Sequence, residues 1–228
     1  MKRSIWILLL VGLVAASAAC TADQTTEDST TTTSDETTLN TEDLTAELTS
    51  EFVAEGGDFQ LNYPSAWLIE ETFPGASVLL ANTSEALERH RSGVAPQPGD
   101  LMVTVGLVPY PLMRQREVVP LGIQFDAGAD VFLASALPMF QLDEGASLGD
   151  VVLQELDGSR EAGRATVGSD DSEGLILWVP TSGEAAALVS TVAALGDSAR
   201  FEEVVLAITS SIRFDGDGDA LYGGLLSR

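Results

Sequence analysis

Val151-Val152-Leu153-Gln154-Glu155-Leu156 and Arg160-Glu161-Ala162-Gly163-Arg164-Ala165-Thr166-Val167 flank the dipeptide Asp157-Gly158, and that hairpin decides the fold. Asp-Gly between two strand-like runs signals a tight antiparallel turn, because both residues tolerate the left-handed backbone such turns require. Working outward, Gly174–Val179 is a further apolar run closed by Pro180. Ala185–Ala194 reads as another strand, although its alanines would also suit a helix. Asp197 and Ser198 offer caps for a helix in which Phe201, Val204, Val205, Ile208 and Ile212 recur at helical spacing. Glu202 and Glu203 are expected in its first turn, where the helix dipole favours acids. One amphipathic helix packed on an antiparallel sheet is an α+β arrangement.

The preceding half adds shorter strands. Phe52-Val53-Ala54, the turn Gly56-Gly57-Asp58 and Phe59-Gln60-Leu61-Asn62-Tyr63 spell a hairpin whose second arm alternates apolar and polar residues. Pro64 ends it and Trp67-Leu68-Ile69 opens the next run. Pro74-Gly75 then turns into a strand over Ala76–Ala81. Asn82-Thr83-Ser84 caps a short helix from Glu85 to about His90, and Leu101–Val108 has the unbroken apolar character of a central strand. Pro109, Pro111 and Pro120 leave 109–128 unassigned. Ala129–Phe140 reads as a helix with an irregularity at Pro138.

Residues 1–19 form an address. Met1-Lys2-Arg3 is a basic start, Ile5–Val14 an apolar run, and Ala15-Ala16-Ser17-Ala18-Ala19 a small-residue stretch before Cys20. A charged head, a short apolar core and small residues at a cut site describe a secretory signal peptide. The apolar run is too short for a membrane span of about 20 residues. With Cys20 directly after the small residues, the segment resembles the bacterial lipoprotein signal, although Ser17 stands where that signal usually carries Leu. The resemblance implies cleavage before Cys20 and its acylation, and Cys20 is the single cysteine of the chain. Ordinary cleavage after Ala19 is the alternative.

Residues 20–50 hold 12 threonines and 8 acids, with no lysine, arginine, aromatic residue or glycine. Such a stretch buries too little apolar surface to offset the entropy of ordering and is expected to be a disordered tether. The expected organisation is therefore signal peptide 1–19, tether 20–50, globular domain 51–214 and an acidic, glycine-rich tail 215–228. The 228 residues carry 35 acids against 11 lysines and arginines, a formal charge of −24. That balance argues against binding nucleic acid, which needs a basic patch to release counterions from phosphates.

The stretch Phe59-Gln60-Leu61-Asn62-Tyr63-Pro64-Ser65-Ala66-Trp67 is similar to the opening of PsbP-like domains, named after an extrinsic photosystem II subunit. Those domains begin with an apolar strand, an aromatic-Pro pair and a Trp three residues later. The close of the last helix into Ser211-Ile212-Arg213-Phe214 resembles how such domains end. The resemblance spans about 51–214 and implies an α/β/α sandwich with a central antiparallel sheet. It implies no shared catalytic residues and a role in docking onto other proteins. Phe59, Tyr63, Pro64 and Trp67 are its fold motif.

Candidate chemistry is sparse. Gly145-Ala146-Ser147-Leu148-Gly149 matches the G-x-S-x-G elbow of serine hydrolases. The residues after it read as a strand rather than a helix, however, and the single histidine, His90, lies upstream, so a loop is expected. His90 itself has no companion at ligand spacing and is expected at the surface. Asp215, Asp217 and Asp219 place three carboxylates at alternate residues, as in the first half of a calcium loop. Ala220 stands where that loop needs glycine, and Leu226 where it needs a bidentate acid. These readings point to a lipid-anchored, extracytoplasmic, non-catalytic module that binds a protein of a membrane-associated assembly and needs no cofactor. A small-ligand or calcium receptor is the alternative, and a serine hydrolase a lesser one.

Overall fold

The computed structural model describes residues 47–111, 128–137 and 146–226. The signal sequence, Cys20, the tether up to residue 46, Pro120 and Pro138 lie outside them. Strands β1 (Ser50–Val53) and β2 (Phe59–Tyr63) form the expected hairpin, with Ser50 opposite Tyr63 and Val53 opposite Gln60. Its turn runs through Gly56 and Gly57 at φ 105° and 82°, backbone that side chains rarely adopt. Near the end of the chain, β11 (Arg213–Phe214) pairs with the other side of β2 and places Phe214 across from Phe59.

The remaining strands build one antiparallel sheet. They are β3 (Leu68–Phe73), β4 (Ser77–Ala81), β5 (Leu101–Pro109), β6 (Ser147–Leu148), β7 (Val152–Leu156), β8 (Arg160–Gly168), β9 (Ser172–Pro180) and β10 (Ala185–Ala194). Their order is β3-β4-β5-β10-β9-β8-β6, with β7 also paired to β8. Between them run the helices α1 (Ser84–Arg91), α2 (Ala129–Ala136), α3 (Ser198–Ser211) and α4 (Gly218–Leu226).

Successive residues of a strand face opposite sides, and here both sides are covered. Odd-numbered residues of β5, β9 and β10, among them Val105, Leu177 and Val189, pack with Phe201, Val205 and Ile208 of α3 and with Phe59 and Leu61 of β2. Even-numbered ones face the other way. Ile176, Trp178 and Leu188 meet Phe132 and Leu133 of α2, while Met102, with Leu79 of β4, meets Ala86 of α1. The result is an α+β sandwich with helices on both faces of a central antiparallel sheet. Burial on both sides explains why Leu101–Val108 and Gly174–Val179 read as continuous apolar runs. It also settles β10: ladders to β5 and β9 on either side, with buried side chains above and below, override the helix preference of its five alanines.

Three expectations are corrected. The helix near the C-terminus begins at Ser198, so its first turn carries no acid and Glu202 and Glu203 fall in the second. Asp197 occupies the cap position, but its own backbone is helical (φ −99°, ψ −17°) and its side chain makes no cap bond. Its carboxylate instead accepts the Gly99 N–H at 2.6 Å, and Glu173 accepts the Ser198 N–H at 2.7 Å. The segment 215–228, read as a tail, contains the helix α4. The Asp157-Gly158 hairpin forms between the expected arms, with Leu156 opposite Arg160 and left-handed backbone at Gly158 and Ser159 (φ 77° and 65°).

Candidate functional site

Asp215, Asp217 and Asp219 sit where the chain leaves β11 and enters α4. The Ser182 hydroxyl donates to the Asp215 carboxylate, and the Asp215 N–H donates to the Asp58 carbonyl at 3.1 Å. Asp217 accepts the Asp219 N–H on Oδ1 at 2.8 Å, and its carbonyl accepts the Leu221 N–H at 3.0 Å, so it starts the helix. The first two carboxylates are thus turned to separate structural partners. Among the described residues no group of three or more His, Cys, Asp or Glu side chains is arranged to hold a metal ion.

Asp217 does reach a cleft of ≈ 220 Å³ between the β1–β2 turn, the β3–β4 turn and α4. Phe73, Phe214 and Leu221 contribute apolar walls, and Glu55, Asp58 and Asp217 are exposed acids around it. Among the described residues no basic side chain lines it. A second, wider groove of ≈ 430 Å³ runs between the β6–β8–β9 end of the sheet and the start of α3. There the Arg164 guanidinium donates to Glu202 at 2.8 Å, beside Thr166, Ser147 and Glu173.

The fold motif serves packing. Phe59 is 1 % exposed in the core, and Tyr63 and Trp67 lie half-buried against that core. Pro64 is buried, and its carbonyl accepts the Trp67 N–H at 3.0 Å to close the turn. Ser147 lies in β6, with Gly149 and β7 following. That is not the strand-to-helix bend that raises a nucleophilic serine, and its hydroxyl donates to the Gly168 carbonyl at 3.3 Å. His90 is half-buried near the end of α1 rather than at the open surface, and burial pushes its pKa below the usual histidine range. Its neighbour Arg89 grips Asp100 through Nε at 2.6 Å and a terminal nitrogen at 2.5 Å, pinning the loop after α1.

Reading by residue missed the outer edge of the large sheet. In the β7–β8 ladder Glu155 stands directly opposite Glu161, both exposed, next to the exposed side chains of Val152 and Leu153. The signal was available: the two acids lie symmetrically about the predicted turn. No helix among the described residues is long and apolar enough to cross a membrane.

No family model matches the chain, and no curated protein matches it. Among solved structures it is similar to the solution structure of cyanobacterial PsbP (CyanoP) from Synechocystis sp. PCC 6803. The two are 12 % identical with a TM-score of 0.39, over 72 % of this chain and 91 % of that one.

Proposed function

We propose that the chain is a lipid-anchored, extracytoplasmic and non-catalytic binding module of a membrane-associated assembly. The observation that carries this reading is the spacing between Cys20, the expected acylation site, and Ser50, where the first strand begins. A coil of that length has a typical reach of about 30 Å and a fully extended limit of about 100 Å. A domain held this way sweeps a volume next to the lipid surface without lying on it, and its negative charge keeps it off anionic headgroups. Such a leash raises the effective concentration of the domain toward anything else in the same membrane. The signal, the anchor residue, the spacer and the double-faced sandwich form a coherent set for presenting a surface.

The test is crosslinking on intact cells, comparing the wild-type chain with Cys20→Ser. A discrete adduct in membranes that falls several-fold in the variant supports the reading. An adduct equally abundant in both, or a wild-type chain wholly in the soluble fraction, contradicts it.

The acid-rimmed cleft at Asp217 favours a second reading, a receptor for a small ligand or a cation such as calcium. Calorimetric titration with calcium separates the two. Heat that disappears in Asp217→Asn supports the receptor, and a flat trace for the wild type removes it.

A further inference from the structure

The large sheet ends in two edges of opposite character. At one, β3 turns the exposed acids Glu70 and Glu71 outward and breaks register between Glu71 and Phe73. Arg91 of α1 holds Glu70 at 2.8 Å. Charge and irregularity are how edge strands avoid pairing with other chains. At the other edge, Val152 and Leu153 of β7 are 47 % and 45 % exposed, and Gln154 follows without charge. Among the described residues β7 pairs with β8 alone. Alternate residues of such a strand direct N–H and C=O groups outward, a ready template for one more strand.

The charges around this edge specify what fits. Glu155 and Glu161 face each other across the ladder, where like charges are unfavourable. Asp150 and Asp157 flank the strand and are exposed. The two nearby arginines are committed elsewhere: Arg160 donates to the carbonyls of Ser210, Ile212 and Pro180, and Arg164 to Glu202. Both also lie on the α3 face of β8, whereas Glu155 and Glu161 lie on the α2 face. A second copy of this chain would bring Asp150, Glu155 and Asp157 of both molecules to one seam and add repulsion. A basic strand would relieve it.

Resting on the binding-module reading, we propose that the β7 edge, Val152–Leu156, docks an extended segment of a partner protein. That segment adds as a further antiparallel or parallel strand, sets a Lys or Arg beside Glu155 on one face of the sheet, and lays apolar side chains against Val152 on the other. Main-chain hydrogen bonds supply affinity, and alternate side chains supply selectivity.

The test uses the purified full-length chain and two short end-blocked peptides, one alternating valine with lysine and one alternating valine with glutamate. Binding is followed by titration and by amide hydrogen exchange. The lysine peptide is expected to bind about five-fold or more tightly than the glutamate peptide and to protect the amides of Val152–Leu156. Glu155→Lys places opposite charges at Glu161 and therefore keeps the fold, and it is expected to reverse the preference. Each of these peptide results overturns the proposal: no protection by either peptide, protection centred on β3, or lysine-peptide binding unchanged in Glu155→Lys. Concentration-dependent protection without peptide would identify self-pairing instead and would also overturn it. Because the measurement needs no membrane, its failure is distinct from failure of the anchor, which is read from the N-terminal residue.

Discussion

The two faces of the large sheet are closed by different means. On one, the 14-residue helix α3 and the small β1–β2–β11 sheet cover a continuous cluster running from Phe59 and Leu80 through Val105 and Leu177 to Ile208. On the other, among the described residues, two eight-residue helices cover two clusters, α2 over Trp178 and Leu188, α1 over Leu79 and Met102. Thr104 and Ser190, directly opposite each other, lie on the strands between those clusters. Short helices gain little stability from their own hydrogen bonds and depend on tertiary packing. The first face therefore carries cooperative stability, and the second is assembled from pieces that loosen one at a time.

Large-to-small substitutions break this comparison most directly. Phe201→Ala empties a fully buried site in the continuous cluster and is expected to cost about 3–5 kcal/mol. Phe132→Ala removes a ring stacked on Trp178 at 4.4 Å and is expected to cost less, about 2–4 kcal/mol. Denaturant midpoints at constant slope measure both, and a larger loss for Phe132→Ala would invert the ranking of the faces. Next comes Gly163→Ala. A Cβ there would stand 2.2 Å from the Ala129 carbonyl, so α2 must move off β8, at about 1–3 kcal/mol. Amide shifts should concentrate in 128–137 and leave α3 unchanged; shifts spread over both faces would show that the pieces are coupled.

Arg160→Met sharpens the first face at a smaller scale. The guanidinium donates to the Ser210 carbonyl at 3.1 Å and the Ile212 carbonyl at 2.8 Å, closing the end of α3 where unpaired carbonyls and the helix dipole favour a cation. A loss of about 1–2 kcal/mol is expected, with faster exchange at the end of α3. No change would mean that water substitutes for the side chain. The smallest effect belongs to His90 on the second face. Its pKa is lowered by burial, so the unfolded chain binds the proton more readily than the folded one. The contribution to stability is complete above the unfolded pKa of about 6.5 and declines as pH falls from there toward the lower folded value. Comparing pH-dependent melting of the wild type with His90→Gln checks it, and identical profiles would contradict it.

Much of this architecture is legible in the residues. The hairpins at 52–63 and 151–167 are announced by glycine turns between period-2 runs, and local chemistry suffices to form them. Helix α3 is legible from its apolar spacing, but its start is not. Asp197 bonds to Gly99, 98 residues away in sequence, and no local rule reveals that competition. Helix α4 is missed because Gly218, Gly223 and Gly224 read as breakers. It exists because Asp217 starts it and Leu221 packs on the core, a contact only the tertiary fold supplies. The same holds for the candidate sites. The carboxylates of 215–219 are visible as a pattern, and the local bond from Asp217 to the Asp219 N–H follows from Asx chemistry, but the Asp215 partner Ser182, 33 residues away, is set by the fold. The opposition of Glu155 and Glu161 was readable once the hairpin was placed, since register follows from the turn.

We propose that Cys20 is the acylated first residue of the mature protein. Mass spectrometry of the N-terminal peptide from the membrane fraction tests it most directly. The expected result is a peptide beginning at Cys20 whose mass exceeds the unmodified value by that of attached acyl groups. A peptide beginning at Met1, or one beginning at Cys20 without added mass, would contradict the account.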